Sequence, residues 1–193
     1  MIFYATKETV ERLKIKTYDK LSDYSKQIAQ NVITNQSGDD LLEWGMKLFY
    51  FDRRKCLQVM NFASKFTIFI FDIKVNDMDS IPNIVANYLI ELYKDDETLI
   101  KLLEGLFEHY SLCTYSKLTN RSIISSLNHN QFEFAIDGYI FYEYINNGIL
   151  NTIQINKDVN FDYFVTQKRS GKIVYFLPGD RFRELIIERY KIS

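Results

Sequence analysis

The sequence predicts an α+β fold, in which an antiparallel sheet packs against helices. β-branched and aromatic residues crowd into three short runs between residues 46 and 73, a pattern typical of a three-stranded meander. Residues 112–127 have the pattern of a second hairpin. Between residues 81 and 110, apolar residues recur at the 3.6-residue spacing of amphipathic helices.

Length and composition favour a single domain over residues 1–193. The chain is 47% hydrophobic and 16% aromatic, which suffices for a sizeable core, and it has only seven glycines and two prolines for linkers. Its first apolar run is too short for a signal peptide, and no stretch approaches the roughly 18 apolar residues of a membrane span. Two cysteines cannot form a disulfide framework. We therefore expect a cytoplasmic protein that makes no membrane contact.

The elements before the meander begin with a short strand at residues 1–4. Thr6 is the predicted N-cap of a helix that buries Val10 and Leu13. A second helix ends near Gly38, and its apolar positions are Tyr24, Ile28, Val32 and Ile33.

The meander is expected to turn at "DRRK" and "NFASK". Its third run, "FTIFIFDI", is apolar on both faces, as in a strand that is covered on both sides. Two helices follow at residues 81–92 and 99–110, and Ser80 and Pro82 mark the start of the first. The two helices are expected to form a helical hairpin that lies on the sheet.

The remaining elements complete the predicted fold. The second hairpin would pair residues 112–116 with residues 123–127. A helix would then begin at Asn128 and end at Gly148. The last elements are a strand at residues 173–177 and a terminal helix that buries Phe182, Leu185, Ile186 and Tyr190.

The formal net charge of −1 conceals an uneven distribution. Residues 1–74 carry 12 basic and 9 acidic groups (+3), residues 75–110 carry 2 and 8 (−6), and residues 111–193 carry 10 and 8 (+2). The acidic block coincides with the predicted helical pair, so it is either a solvated helix face or an imitation of nucleic acid. The chain lacks the strongly basic balance of a nucleic-acid-binding domain, so any contact with nucleic acid would be local.

Two basic turns are candidate binding sites. The first is "DRRK", with Arg53, Arg54 and Lys55. The second is "QKRSGK", with Lys168, Arg169 and Lys172. Aromatic residues beside the first turn offer faces on which bases could stack: Phe49, Tyr50 and Phe51. The alternative is a turn with solvated charges that protects a sheet edge. In the first turn we expect Arg54 and Lys55 to face a partner and Arg53 to be partly structural.

Signals for catalysis are weak. The sequence lacks the glycine-rich phosphate loop, the dinucleotide fingerprint and the nucleophile elbow. Its two histidines stand 20 residues apart, outside any metal-binding spacing, so we expect no metal and no cofactor. A metal-independent ribonuclease needs a base, an acid and a cation, and the candidates are His129, Arg121 and Lys117. The alternative interpretation of His129 is a polar residue in the first turn of a helix.

Three segments resemble a bacterial family of unknown function: "FYATKETVERL", "LLEWGMKLFYFDRRKCLQVMN" and "YSKLTNRSIISSLNHNQFEF". The matching positions are Thr6, Lys7, Trp44, Leu48, Arg53, Asn61, Arg121, Ser122, Asn128 and, less closely, Thr119. The resemblance covers residues 1–136 and implies a shared fold, but it implies no chemistry.

The low-GC character of the composition, which is rich in Lys, Ile, Asn and Tyr, and the small size suggest a gene from a Firmicute that is carried by a plasmid or phage. Mobile elements of such hosts commonly encode anti-CRISPR proteins. Our first hypothesis is therefore an intracellular binding protein that inhibits a host nuclease complex, such as type II Cas9 with its guide RNA. The second is a small ribonuclease that acts on guide or messenger RNA, and the third is a housekeeping interaction domain or an antitoxin. The sequence does not define the oligomeric state.

Overall fold

A computed structural model describes residues 1–136, 139–169 and 172–191. Within these residues five strands form one sheet: β1 (Ile2–Ala5), β2 (Glu43–Phe51), β3 (Arg54–Asn61), β4 (Thr67–Ile70) and β5 (Thr114–Lys117). Their order across the sheet is β4-β3-β2-β1-β5. Helices pack against this sheet, so the fold class is α+β, as predicted.

The sheet is mixed, and the prediction of an antiparallel sheet is wrong for β1. The meander β2-β3-β4 is antiparallel, but β1 runs parallel to both β2 and β5. Parallel neighbours need long crossover connections, and helices supply them here. The alternation of side chains along a strand is the same for both directions of pairing, so the sequence pattern carried no signal for this arrangement.

The helices are α1 (Lys7–Arg12), α2 (Asp23–Gln36), α3 (Ile81–Leu92), α4 (Glu97–His109), α5 (Arg121–Gln131), α6 (Tyr139–Glu143), α7 (Thr152–Phe161) and α8 (Pro178–Lys191). Short 3-10 turns lie at Tyr18–Lys20 and Val75–Ser80, and a π-helical turn lies at Phe132–Ile136. Two small hairpins stand apart from the main sheet: β6 (Ile145–Asn146) with β7 (Ile149–Leu150), and β8 (Val165–Arg169) with β9 (Lys172–Phe176).

The predicted second hairpin, at residues 112–127, is wrong. Its first half forms β5 but pairs with β1, and its second half is helical and belongs to α5. The Asn120 side chain caps this helix by accepting hydrogen bonds from the amides of Ser122 and Ile123. Ile123 and Leu127 are one helical turn apart and are buried together against the sheet. The β-branched residues of this segment favoured a strand, but tertiary packing outweighed that propensity.

One face of the sheet carries the larger core. Side chains of β3 alternate, and Leu57 and Val59 point to this face. Here the helical hairpin of α3 and α4 lies on the sheet, as predicted, and α8 packs beside it. The buried helix positions in this core are Ile81, Val85, Leu89, Leu99, Leu103, Leu106, Phe182 and Ile186.

The opposite face buries Cys56 and Met60 of β3 in two smaller clusters. The first is aromatic and joins Phe49, Phe69 and Phe141 with ring centroids 5.2–5.9 Å apart. The second lies under α5 and holds Phe62 and Leu118 in addition to Met60, Ile123 and Leu127. The sheet is therefore covered on both sides, which explains why the third strand of the meander, β4, is apolar on both faces.

Helix α7, which was not predicted from the sequence, closes the outer edge of β4. Asn160 accepts a hydrogen bond from the amide of Thr67 (2.8 Å) and donates one to its carbonyl (2.7 Å). Asn156 likewise accepts a hydrogen bond from the amide of Phe69 (2.7 Å) and donates one to the carbonyl of Phe69 (3.0 Å). Both asparagines are fully buried. Two amide side chains therefore satisfy the backbone groups that an edge strand normally leaves open.

Helix α5 approaches the sheet closely at Gly45 of β2. A Cβ atom at Gly45 would lie 2.7 Å from Cγ2 of Ile123 and 3.3 Å from Cε1 of Phe62. Glycine at this position therefore sets the distance between helix and sheet. A Cβ atom at Gly105, on the exposed side of α4, would have no described heavy atom within 4 Å, so this glycine plays no such role.

We predict that Asn156→Leu destabilises the protein by about 2–4 kcal/mol, because it leaves the buried amide and carbonyl of Phe69 without partners. Chemical denaturation followed by circular dichroism measures the change. Lys157→Leu, on the solvent side of the same helix, is the control and should change stability by no more than about 0.5 kcal/mol. Equal effects of the two variants would contradict a structural role for the asparagine.

We also predict opposite effects for one substitution at two glycines. Gly45→Ala should lower the unfolding free energy by about 1–3 kcal/mol, because the new methyl group forces α5 away from β2. Gly105→Ala should raise it by about 1 kcal/mol, since alanine is the better helix former and open space surrounds the site. Paired thermal and urea denaturation would measure both changes. A stabilised Gly45→Ala variant would contradict the close approach.

Candidate functional site

The "DRRK" segment forms a two-residue turn between β2 and β3. Phe51 pairs with Arg54, so only Asp52 and Arg53 lie between the strands. Their φ angles are +48° and +63°, which are the left-handed values of a type I′ turn. Glycine or asparagine normally occupies such positions, because a larger side chain is strained there. The turn therefore holds an arginine in a conformation that its backbone does not favour.

The three basic residues of this turn differ in their contacts. Nη1 of Arg54 lies 2.9 Å from Oδ2 of Asp72, and both side chains are more than half exposed. Nζ of Lys55 donates a hydrogen bond to the carbonyl oxygen of Arg12 at 3.2 Å. Arg53 is exposed and makes no hydrogen bond or ion pair with any described residue. Its guanidinium group is therefore the one in this turn that has no partner within the described structure.

Aromatic rings flank the turn, as the sequence predicted, but not all of them are accessible. Phe49 is buried in the aromatic cluster and offers no face to solvent. Tyr50 is 48% exposed. Phe51 packs on Tyr142 of α6 at 4.9 Å between ring centroids, and Tyr142 is 49% exposed. Tyr50 and Phe51 are consecutive in β2 and point to opposite faces, so Tyr50 and Tyr142 lie on opposite sides of the hairpin. We call Arg53, Tyr50 and Tyr142 the hairpin surface: a cation without a described partner at the tip and one exposed ring on each face.

The second predicted turn lies in the hairpin of β8 and β9, where Arg169 pairs with Lys172. The side chains of Lys168, Arg169 and Lys172 lie outside the described part of the structure. Their role in binding stays a prediction.

The structure does not bring the three predicted catalytic residues together. Lys117 lies at the end of β5, with its Nζ 3.6 Å from Oδ2 of Asp19. Arg121 and His129 are eight residues apart in α5, which separates their backbones by about 12 Å along the helix axis. Both side chains are exposed. No base, acid and cation converge on one phosphate position among these residues.

The acidic block has both structural and exposed members. Asp96 caps α4 by accepting a hydrogen bond from the Leu99 amide, and it also binds Nε of Arg183 at 2.7 Å. These contacts hold the pKa of Asp96 below its usual value, the helix-cap bond being the larger cause. Glu97, Glu104 and Glu108 are exposed along the outer side of α4. We call these three the acidic face.

Several positions of the family pattern have structural roles. The amide of Asn61 donates to the carbonyl of Leu41 at 3.0 Å, and its oxygen accepts from the Ser64 amide at 3.1 Å, which joins two loops. Asn128 accepts a hydrogen bond from Nζ of Lys47 at 2.7 Å. Burial lowers the pKa of this lysine. At Asn61 and Asn128, the residues of the family pattern therefore stabilise the fold through hydrogen bonds.

A cleft beside β5, which we call the β5 cleft, was not predicted from the sequence. Its volume is about 440 Å³. Four separate segments line it: residues 14–16 after α1, Leu21 together with the first half of α2, residues 75–79 and residues 113–115. No motif could have revealed this site, because its walls come from segments that only the folded chain brings together.

Several kinds of chemistry find no support in the described residues. These residues contain no group of three histidine, cysteine or acidic side chains that could hold a metal ion. Burial raises the pKa of both Cys56 and Cys113, so their thiols remain neutral and weakly nucleophilic. Over the same ranges, no helix is long and apolar enough to span a bilayer.

Comparison with known proteins identifies the family. The model of a family described as Domain of unknown function (DUF6933) matches residues 2–180. Neither the curated proteins nor the solved structures contain a significant match. The resemblance to a family of unknown function is thereby confirmed, and it extends beyond residue 136. The chain belongs to the family described as Domain of unknown function (DUF6933).

Proposed function

We propose that this chain is an intracellular binding protein, carried by a mobile genetic element, that inhibits a nuclease complex such as Cas9 with its guide RNA. The observation that carries the proposal is the exposed guanidinium of Arg53 at a strained turn, without a partner among the described residues. We assign the contact with RNA to the hairpin surface.

The geometry of the hairpin surface suits RNA. Arginine binds phosphate through paired N–H groups, and exposed aromatic rings stack on unpaired bases. Tyr50 provides such a ring on one face of the hairpin, and Tyr142 provides one on the other face, next to Phe51. Arg54 is already neutralised by Asp72, so Arg53 is the better phosphate ligand of the two. This ranking reverses the sequence-based expectation, which favoured Arg54 and Lys55.

The strain at Arg53 supports a functional role. A side chain at positive φ costs about 1–2 kcal/mol relative to glycine, and such strain is retained mainly where function requires it. Glycine would form this turn at lower cost. The buried Lys65 has the same φ of +63° and bonds only within the protein, so it is the exposure of Arg53 together with its strain that favours a contact.

A ribonucleoprotein suits both charged surfaces. The hairpin surface would contact RNA phosphate, and the acidic face, with Glu97, Glu104 and Glu108, would contact basic protein surface that normally holds nucleic acid. The dispersed positions of Arg121, His129 and Lys117 give the ribonuclease alternative no such support.

We predict that Arg53→Gly separates binding from folding. The variant should be as stable as the wild type, or more stable by up to about 1 kcal/mol, because glycine relieves the strained φ. Its affinity for the Cas9–guide RNA complex should fall about tenfold, since one charge-assisted contact is lost. Fluorescence anisotropy at low and high salt measures binding, and a DNA-cleavage assay measures inhibition.

Asp52→Gly is the matched control. It relieves the same backbone strain at the neighbouring position but keeps the cation, so binding should not weaken.

If the wild type neither binds nor inhibits Cas9, this partner is excluded. If Glu104→Gln with Glu108→Gln abolishes binding while Arg53→Gly does not, the acidic face is the contact instead. Cleavage of RNA that His129→Ala abolishes would favour the ribonuclease hypothesis.

A further inference from the structure

The β5 cleft has the size and lining of a site for a small organic molecule. Its volume of about 440 Å³ falls within the range of roughly 300–1,000 Å³ typical of ligand pockets. The lining combines apolar side chains with a smaller number of polar and charged ones. This cleft lies on the strand at one edge of the sheet, whereas α7 closes the other edge.

Backbone groups of β5 point away from the sheet on the cleft side. The amides of Thr114 and Leu118 donate to the carbonyls of Met1 and Ala5 at 3.1 and 2.8 Å, so alternate residues face β1. The amide and carbonyl of Tyr115 therefore face the opposite way, where no described strand pairs with β5. An adjacent donor and acceptor of this kind match the hydrogen-bonding edge of a nucleobase.

A buried hydroxyl lies beside these groups. Thr114 lines the cleft and is 4% exposed, yet its Oγ1 has no hydrogen-bond partner among the described residues. Buried hydroxyl groups in folded proteins are nearly always paired. The oxygen is covered by protein atoms in the structure, so a ligand in the cleft supplies the missing partner once the Thr114 side chain rotates toward it.

The walls and rim of the cleft suit an aromatic ring attached to an anion. Apolar surface comes from Ile28 of α2 and from Val75 and Met78 of the 3-10 turn that precedes α3. Lys14 and Lys16 stand exposed on the rim, and neither forms an ion pair with a described residue. Asp79 is the lone acidic side chain in the described lining, so the rim attracts negative charge.

From these groups together we infer that the β5 cleft binds a nucleoside monophosphate, either free or as the terminal nucleotide of an RNA strand. The base lies between the apolar walls with its polar edge at Tyr115 and Thr114. The phosphate lies at Lys14 and Lys16. This inference does not depend on the hairpin surface or on the identity of the nuclease partner.

Calorimetric titration of the full chain tests the inference. The ligands are AMP, GMP, CMP and UMP, the corresponding nucleosides, inorganic phosphate, and an eight-nucleotide RNA with and without a 5′-phosphate. We expect at least one nucleoside monophosphate to bind about tenfold more tightly than its nucleoside and than inorganic phosphate. If RNA ends are the source, the phosphorylated RNA binds more tightly than both the free nucleotide and the unphosphorylated RNA.

Variants locate the site. Lys14→Gln with Lys16→Gln should weaken nucleotide binding about tenfold and leave nucleoside binding unchanged. Lys20→Gln, an exposed lysine outside the lining, is the matched control and should have no effect. Thr114→Val should weaken nucleoside binding several-fold. The inference is overturned if no nucleoside monophosphate binds at millimolar concentration, if inorganic phosphate binds equally well, or if the control weakens binding as much as the double variant.

Discussion

Backbone pairing on both sides of β1 is the constraint on which the rest of the structure depends. This strand has four residues, Ile2–Ala5, and its partners β2 and β5 lie far away in sequence. Parallel pairing on both sides requires the chain to leave the sheet after β1 and to return twice. Among the helices of these connections, α1, α3 and α4 cover one face, whereas α5, α6 and α7, which follow β5, cover the other. The pairing of β1 therefore leaves β5 at an edge of the sheet.

The two edges of the sheet are treated differently. At β4, Asn156 and Asn160 satisfy backbone groups that would otherwise be open to another strand. At β5, the outward backbone groups meet a cleft with a buried hydroxyl that has no described partner. One edge is closed by the protein's own side chains, and the other faces the β5 cleft.

The sequence predicted the basic turn correctly, whereas the contacts that its residues make inside the protein are visible only in the structure. Alternating strands on either side of "DRRK" implied a polar turn, and the structure has that turn. Contacts with Asp72 and with the carbonyl of Arg12 occupy Arg54 and Lys55, so Arg53 remains as the cation without a described partner. Those contacting residues are distant in sequence. No local pattern could show which of three adjacent basic side chains remains available.

The sequence by itself determined the meander, the helical pair at residues 81–110 and the N-cap at Thr6. The signals for these elements are the spacing of hydrophobic residues, the turn residues and the capping residues, all of which act within a few positions of the chain. Only the tertiary structure decided the parallel pairing of β1, the helical state of Ile123–Leu127, the closing of the β4 edge and the β5 cleft. Each of these depends on contacts between residues that are far apart in sequence, and local propensity carries no information about such contacts.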